Sequence, residues 1–136
     1  MHEPPSFWDH NEKGIHFYNH GAYDRAITEF AQAVSAAVIP VATLDINLGA
    51  AYLGKKMYAE ARFWLESGLA LDPDDQMGHW LLGRALEAVG AVFGARAEFE
   101  HAYALDPDSP EGRDAEEEVL HLRARWAPFP ALESSR

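Results

Sequence analysis

The chain has 136 residues, no cysteine, 22 acidic and 11 basic residues, and a formal net charge of −11. Its hydrophobic fraction of 48% is typical of a packed globular domain and not of a disordered chain. The missing cysteines exclude disulfides and cysteine zinc sites, and the acidic balance argues against nucleic acid as a partner. No apolar run approaches the roughly 20 residues of a membrane helix, and the first residues lack a signal-peptide pattern. We therefore expect a soluble cytoplasmic protein without a membrane partner.

Residues 7–41 contain the first of three similar segments. Gly14 and Ala26 precede a second glycine and a second alanine, Gly49 and Ala61, by 35 positions in both cases. This first unit ends in Val-Ile-Pro at Pro40. Since no part of the chain alternates with a period of two for long, helices are predicted and strands are not.

Residues 42–75 and 76–109 repeat the same pattern at an interval of 34, and both end in Leu-Asp-Pro-Asp, with the prolines at Pro73 and Pro107. Proline lacks an amide hydrogen and disfavours a helical residue before it, so one helix is predicted to end at each proline. Asp74 or Asp75, and later Ser109, can cap the next helix. Each unit is therefore predicted to be two helices joined by a short turn.

The repeat resembles that of the tetratricopeptide repeat (TPR) family, whose pattern over 34 residues is Trp-x2-Leu-Gly-x2-Tyr, Ala-x3-Phe and Pro. The motif residues are Leu48-Gly49-x2-Tyr52, Ala61-x3-Leu65 and Pro73 in the second unit, and Leu82-Gly83-x2-Leu86, Ala95-x3-Phe99 and Pro107 in the third. The leading tryptophan is replaced in every unit, by His10, Asp45 and His79. The small residues are expected to let paired helices approach closely, Gly49 against Ala61 and Gly83 against Ala95. The resemblance implies an all-α fold, a right-handed superhelical stack of three helix-turn-helix units plus a C-terminal capping helix.

Residues 110–126 begin like a fourth unit but place Glu117 where the glycine should be. Ala115, Val119, Leu122 and Trp126 form one apolar helical face, so this segment is predicted to be the capping helix that closes the stack. Residues 127–136 are expected to be a flexible tail. Alternatively, its Phe129 and Leu132, near two prolines, occupy either the groove of their own chain or, as the favoured choice, that of a second copy, which would cause self-association.

TPR proteins bind peptides in a concave groove lined by the first helix of each unit, and the resemblance implies the same here. The candidate groove residues are Trp8, Asn11, Ile15, Tyr18 and Asn19, then Thr43, Ile46, Asn47, Ala50 and Leu53, then Met77, Trp80, Leu81, Arg84 and Glu87. Trp80 is the favoured anchor and Asn47 the favoured polar contact. Alternatively, neighbouring helices cover several of these side chains.

TPR domains that hold the acidic tails of heat-shock chaperones use a clamp of lysines, arginine and asparagines on these faces. By resemblance, such a clamp would need Lys, Asn, Lys and Arg where this chain has Asn11, Ile15, Met77 and Leu81, and only Asn47 matches. A groove poor in cations is unsuited to a carboxylate tail, so this partner is not predicted.

The leading hypothesis is a non-enzymatic scaffold or adaptor that binds a peptide segment of a protein partner. The second is a dedicated chaperone similar to those of type III secretion, which also have three such repeats. The third is a metal-binding protein, since His16 and His20 lie four positions apart and such a pair can share a metal ion. No third ligand is evident, no catalytic or phosphate-binding motif occurs, and no cofactor is expected.

Overall fold

A computed structural model describes residues 6–125, which form seven helices and no strand. The helices are α1 (Phe7–Asn19), α2 (Tyr23–Ala36), α3 (Ala42–Gly54), α4 (Tyr58–Leu71), α5 (Gln76–Ala88), α6 (Val92–Leu105) and α7 (Pro110–Arg125). Packing is between neighbours in the chain, α1 with α2, α3 with α4, α5 with α6, and α7 against α6. The all-α architecture of the described residues confirms the predicted fold class.

Short side chains fix where several helices begin. The Ser6 hydroxyl accepts a hydrogen bond from the Asp9 amide at 3.2 Å, and the Asp9 carboxylate accepts one from the Ser6 amide at 2.7 Å, which is a capping box at the start of α1. Asp75, and not Asp74, caps α5 by accepting from the Gly78 amide at 2.7 Å. Ser109 accepts from the backbone amide of residue 112 at 2.9 Å at the start of α7, as predicted.

A residue in the left-handed backbone region lies in the turn inside each unit. Gly21 has φ of 73° and Gly90 has φ of 82°, and Lys56 takes the same role in the second unit with φ of 65°. Glycine adopts this conformation without steric cost, whereas a lysine there is held against its preference by the surrounding structure.

The repeated glycines allow close packing between the two helices of each unit. A Cβ atom added at Gly14 would lie 2.4 Å from the Phe30 ring, and one added at Gly83 would lie 2.7 Å from the Phe99 ring. At Gly49 the nearest atom is a Leu65 carbon at 2.7 Å. The predicted partners of Gly49 and Gly83, two alanines, are therefore not the closest contacts, because larger residues one helical turn further along lie directly over the glycines.

Helix α7 packs its predicted apolar face on the stack. Ala115, Val119 and Leu122 are buried, whereas Glu117 is exposed. The fourth predicted residue of this face, Trp126, and the tail at 127–136 lie outside the described residues. None of the helices within 6–125 combines the length and apolarity that a bilayer-spanning helix requires.

Candidate functional site: the groove of the first helices

Helices α1, α3 and α5 carry the predicted groove residues, but the structure divides these residues into three groups by exposure. The exposed group comprises Trp8, Ile15, Asn19, Thr43, Met77 and Arg84. Half-buried are Tyr18, Asn47, Leu53, Trp80 and Glu87, and buried are Asn11, Ile46, Ala50 and Leu81. The four buried residues are therefore not available on the inner surface, and for them the alternative holds that neighbouring helices cover the side chain.

Ile46 and Ala50 belong to the hydrophobic core. A Cβ atom at Gly68 of α4 would lie 2.6 Å from the Ile46 side chain, and one at Gly78 of α5 would lie 2.8 Å from it. The two glycines therefore leave a space between α4 and α5 that Ile46 fills. This space is formed by α3, α4 and α5 together, so the sequence pattern of α3 alone does not show that Ile46 is buried.

Asn11 is buried, and its side chain is paired with that of another predicted groove residue, Asn47. The Asn47 side-chain amide donates to the Asn11 carbonyl oxygen at 2.8 Å, which links α3 to α1. A buried amide needs such a partner. One donor hydrogen of Asn47 is thus engaged within the protein, and its second hydrogen and its oxygen are the groups left for a ligand.

A cavity of about 350 Å³, here called the aromatic pocket, lies in the groove between α1, α3 and α5. Its rings are Tyr18, Tyr23, Tyr58 and Trp80, and its charged side chains are Lys56 and Arg84. Leu53 and Leu81 also line it, so five predicted groove residues meet here. Tyr23 and Tyr58 are functional candidates that the sequence analysis missed. Their spacing of 35, the repeat interval, was a signal that could have revealed them.

Trp80 and Arg84 form the side of the pocket next to α7. The Arg84 guanidinium lies 5.1 Å from the centre of the Trp80 ring, and the Trp80 indole N–H donates to the Asp114 carboxylate at 2.6 Å. Among residues 6–125, no carboxylate forms an ion pair with Arg84 or with Lys56. The pocket therefore presents apolar rings together with two cations that are available to a ligand.

Burial also acts on the titratable groups near the pocket. It raises the pKa of the Tyr18 hydroxyl, Tyr23 adds to the rise, and Arg84 opposes it. The hydroxyl therefore stays protonated at neutral pH, where it can donate or accept a hydrogen bond. On α7, burial raises the pKa of Glu118, and the neighbouring Glu87 raises it further.

The histidine pair proposed as a weak metal site has another role. His20 donates a ring N–H to the backbone carbonyl of His16 at 2.8 Å, and the two ring centres lie 4.5 Å apart. This bond satisfies a free carbonyl in the last turn of α1. Within 6–125, no cluster of three or more histidine, aspartate or glutamate side chains is arranged to hold a metal ion.

The packing of the glycines shows which residues of the first and third units hold equivalent places. Asn11 and Ile15 stand three positions before and one position after Gly14. The same steps from Gly83, which packs on Phe99 as Gly14 packs on Phe30, lead to Trp80 and Arg84. Arg84 thus adds a cation to the groove, whereas the clamp positions of this unit hold Met77 and Leu81, and that only Asn47 matches stays a prediction.

No protein-family model matches the chain, and no curated protein matches it. Solved structures do match. The TPR domain of OM64 from Arabidopsis is 23% identical over 88% of this chain and 96% of that one, with a TM-score of 0.80. The protein has the tetratricopeptide repeat fold.

Two further matching structures were determined with a bound ligand. The second TPR domain of human RPAP3, in complex with an HSP70 peptide, is 25% identical over 84% of this chain and 92% of that one, with a TM-score of 0.74. PcrH from Pseudomonas aeruginosa, in complex with the chaperone binding region of PopD, is 20% identical over 92% of this chain and 98% of that one, with a TM-score of 0.80.

Proposed function

We propose that this protein is a non-enzymatic protein-interaction scaffold that binds a peptide segment of a partner in the groove of its TPR fold. The aromatic pocket is the observation that carries the proposal. It joins side chains from all three units in one open cavity of about 350 Å³ with four aromatic rings. Apolar pockets with a few convergent polar groups are the usual sites of ligand anchors, and tryptophan, tyrosine and arginine dominate the energetics of protein interfaces.

The groove favours an apolar or aromatic anchor over an acidic chaperone tail. The two lysine positions of the clamp hold Asn11 and Met77, and Asn11 is buried and bonded to Asn47. Arg84 and Lys56 can still pair with a single carboxylate beside an apolar side chain. We therefore expect partner segments with an aromatic or aliphatic anchor, and weak binding of the HSP70 and HSP90 tail peptides.

A phage-displayed peptide library selected on the protein would supply ligands for a test. Trp80→Ala should weaken the selected peptides by about 5- to 150-fold, as expected for loss of an aromatic anchor. Arg84→Ala tests the pocket without touching the core, since its side chain is exposed. Phe63→Ala, which removes a 63% exposed ring from α4 outside the pocket, is the matched control and should change nothing.

The helical circular-dichroism spectrum of each variant must match that of the wild type. Equal weakening by Phe63→Ala, or none by either pocket variant, would place the binding site elsewhere. Unfolding of Trp80→Ala would mean that its bond to Asp114 is needed for the fold, and Arg84→Ala would then decide the matter alone.

A dedicated chaperone for one partner protein is the second candidate. It is favoured by the likeness to PcrH bound to part of PopD, which extends over 92% of this chain. A chaperone should form a stoichiometric complex with one client that is insoluble when expressed alone. An adaptor should instead bind short peptides reversibly, so co-expression followed by size-exclusion chromatography separates the two.

We also propose that residues 128–136 compete for the groove of a second copy, which rests on the sequence of the tail alone. Truncation after residue 127 should then increase the affinity for a selected peptide and remove any concentration-dependent dimer in sedimentation experiments. Identical behaviour of the two proteins would contradict a role for the tail. The cytoplasmic location likewise stays a prediction.

A further inference from the structure

A second cavity, of about 360 Å³, lies where α2 connects to α3, and it shares no lining residue with the aromatic pocket. Its walls are mainly aliphatic side chains from residues 34–44, and α4 contributes Trp64 and Ser67. At its rim Val38 is 97% exposed and Ile39 is 70% exposed, in the connection that takes the place of Leu-Asp-Pro-Asp in the other units. An acidic side chain, Asp45, also lines this cavity.

Asp45 is a buried acid that the rest of the described chain leaves without a cation. Its residue is only 6% exposed, and one carboxylate oxygen accepts a hydrogen bond from the Ser67 hydroxyl at 2.8 Å. No basic side chain within 6–125 forms an ion pair with it. Because no fully buried side-chain oxygen in this range lacks a hydrogen bond, the second carboxylate oxygen is not fully buried, and Asp45 lines the cavity.

The first and third units hold a different pair of side chains at the positions equivalent to Asp45 and Trp64. His10 pairs with Glu29 at 2.8 Å, and His79 pairs with Glu98 at 2.6 Å. In each case the histidine holds the leading position of the unit and the glutamate follows 19 positions later. In the middle unit these two positions are Asp45 and Trp64, and both residues line the cavity. The middle unit thus has a carboxylate and an aromatic ring where the outer units have a histidine and a carboxylate.

We propose that this cavity binds an alkylammonium group, and specifically the lysine side chain of a partner protein. The inference is independent of the peptide groove. A desolvated carboxylate attracts a cation more strongly than an exposed one, the aliphatic walls suit the methylene chain of lysine, and tryptophan is the aromatic residue that binds cations best. The exposed rim of Val38 and Ile39 favours a protein over a free amine, because such an apolar surface suits contact with a partner.

The test uses the full chain and Nα-acetyl-lysine N-methylamide as the probe. Its neutral control is the same molecule acetylated on the ε-nitrogen, and n-butylamine represents a free amine. Binding is followed through the indole N–H signal of Trp64 in two-dimensional NMR spectra, assigned with Trp64→Phe. The charged probe should shift this signal with saturation, and the neutral control should bind about 10-fold more weakly or worse.

Three variants identify the group that binds. Asp45→Asn keeps the size of the side chain and an acceptor for Ser67, and it should lower the affinity for the charged probe by about 10-fold or more. Ser67→Ala leaves the carboxylate in place and should retain binding. Asp74→Asn removes the same charge from an exposed position and controls for net charge. A melting temperature of Asp45→Asn at or above that of the wild type shows that the fold is intact.

Two outcomes would overturn the site. One is equal binding of the charged and neutral lysine probes, and the other is unchanged binding by Asp45→Asn. Tighter binding of the lysine probe than of n-butylamine supports a protein as the source of the ammonium group. Equal binding of these two amines confirms the ammonium site but overturns the assignment to a protein lysine.

Discussion

The close packing of α5 on α6 can be tested at Gly83 by a substitution to alanine, which adds a single carbon atom. In Gly83→Ala the added Cβ would lie 2.7 Å and 2.8 Å from two carbons of the Phe99 ring. Phe99 is fully buried, with 0% of its surface exposed, so its ring cannot move outward into solvent. Gly94 of α6 is the matched control, because a Cβ there meets only a Leu86 carbon at 3.4 Å, an ordinary contact.

The expected magnitudes come from two opposing effects. Alanine stabilises a helix interior by about 1 kcal/mol relative to glycine, and this gain applies at both positions. Inserting a carbon into a well-packed core costs about 1–3 kcal/mol, and this loss applies at Gly83 only. We therefore expect Gly94→Ala to raise the free energy of unfolding by up to about 1 kcal/mol. The free energy of unfolding of Gly83→Ala should be about 1–3 kcal/mol lower than that of Gly94→Ala.

Urea denaturation followed by circular dichroism measures the difference directly, and the slope of the transition should stay the same. In thermal melts, each kcal/mol corresponds to about 3–5 °C for a chain of this size. Gly83→Leu should be far more disruptive and remove the cooperative transition. The assigned helix packing would be refuted if Gly83→Ala were as stable as Gly94→Ala, or if Gly83→Leu remained folded and monomeric.

Two further predictions concern buried titratable residues. Burial raises the pKa of Asp45, and the Ser67 hydrogen bond offsets part of the rise. Protonation of Asp45 therefore contributes to the stability of the folded state. This contribution is complete below the unfolded pKa of about 3.9 and is lost as the pH increases through the higher folded pKa. The free energy of unfolding of the wild type, relative to Asp45→Asn, should thus fall from pH 4 to 7 in urea titrations; parallel curves would contradict this. His79→Ala should destabilise the protein by about 2–4 kcal/mol, because the ring contacts Glu98 at 2.6 Å and the Pro73 carbonyl at 2.7 Å. The exposed His101→Ala, which removes only a ring stacked on His79, should cost less than about 1 kcal/mol in the same assay.

Local chemistry explains why so much of the fold was predictable. The prolines after Asp72 and Asp106 end helices through sterics within a few residues, and Asp75 and Ser109 begin the next helices by bonding to amides three residues away. These effects need no tertiary contact. Their repetition at 34 residues then determined the stack, since helix pairs with the same apolar pattern pack on one another in the same way.

The inner surface was predicted less well, because exposure on a helix face depends on which residues the neighbouring helices bring over it. Ile46 has the periodicity of a groove residue, but Gly68 and Gly78 leave the space that it fills. In the same way, the pocket contribution of Tyr58 arises only where α4 begins beside α5. None of these relations is a local property of the helix concerned.

The repeat pattern and the turn residues thus predicted two helices in each unit, a capping helix, and the helix boundaries around Pro73 and Pro107. Which polar groups meet depends instead on how the helices pack. Asp45 and Ser67 are separated by 22 positions, and Trp80 and Asp114 by 34. Such distances in the chain are closed by the packing of whole helices, whose exact placement depends on the fit of buried side chains such as Phe99 against Gly83.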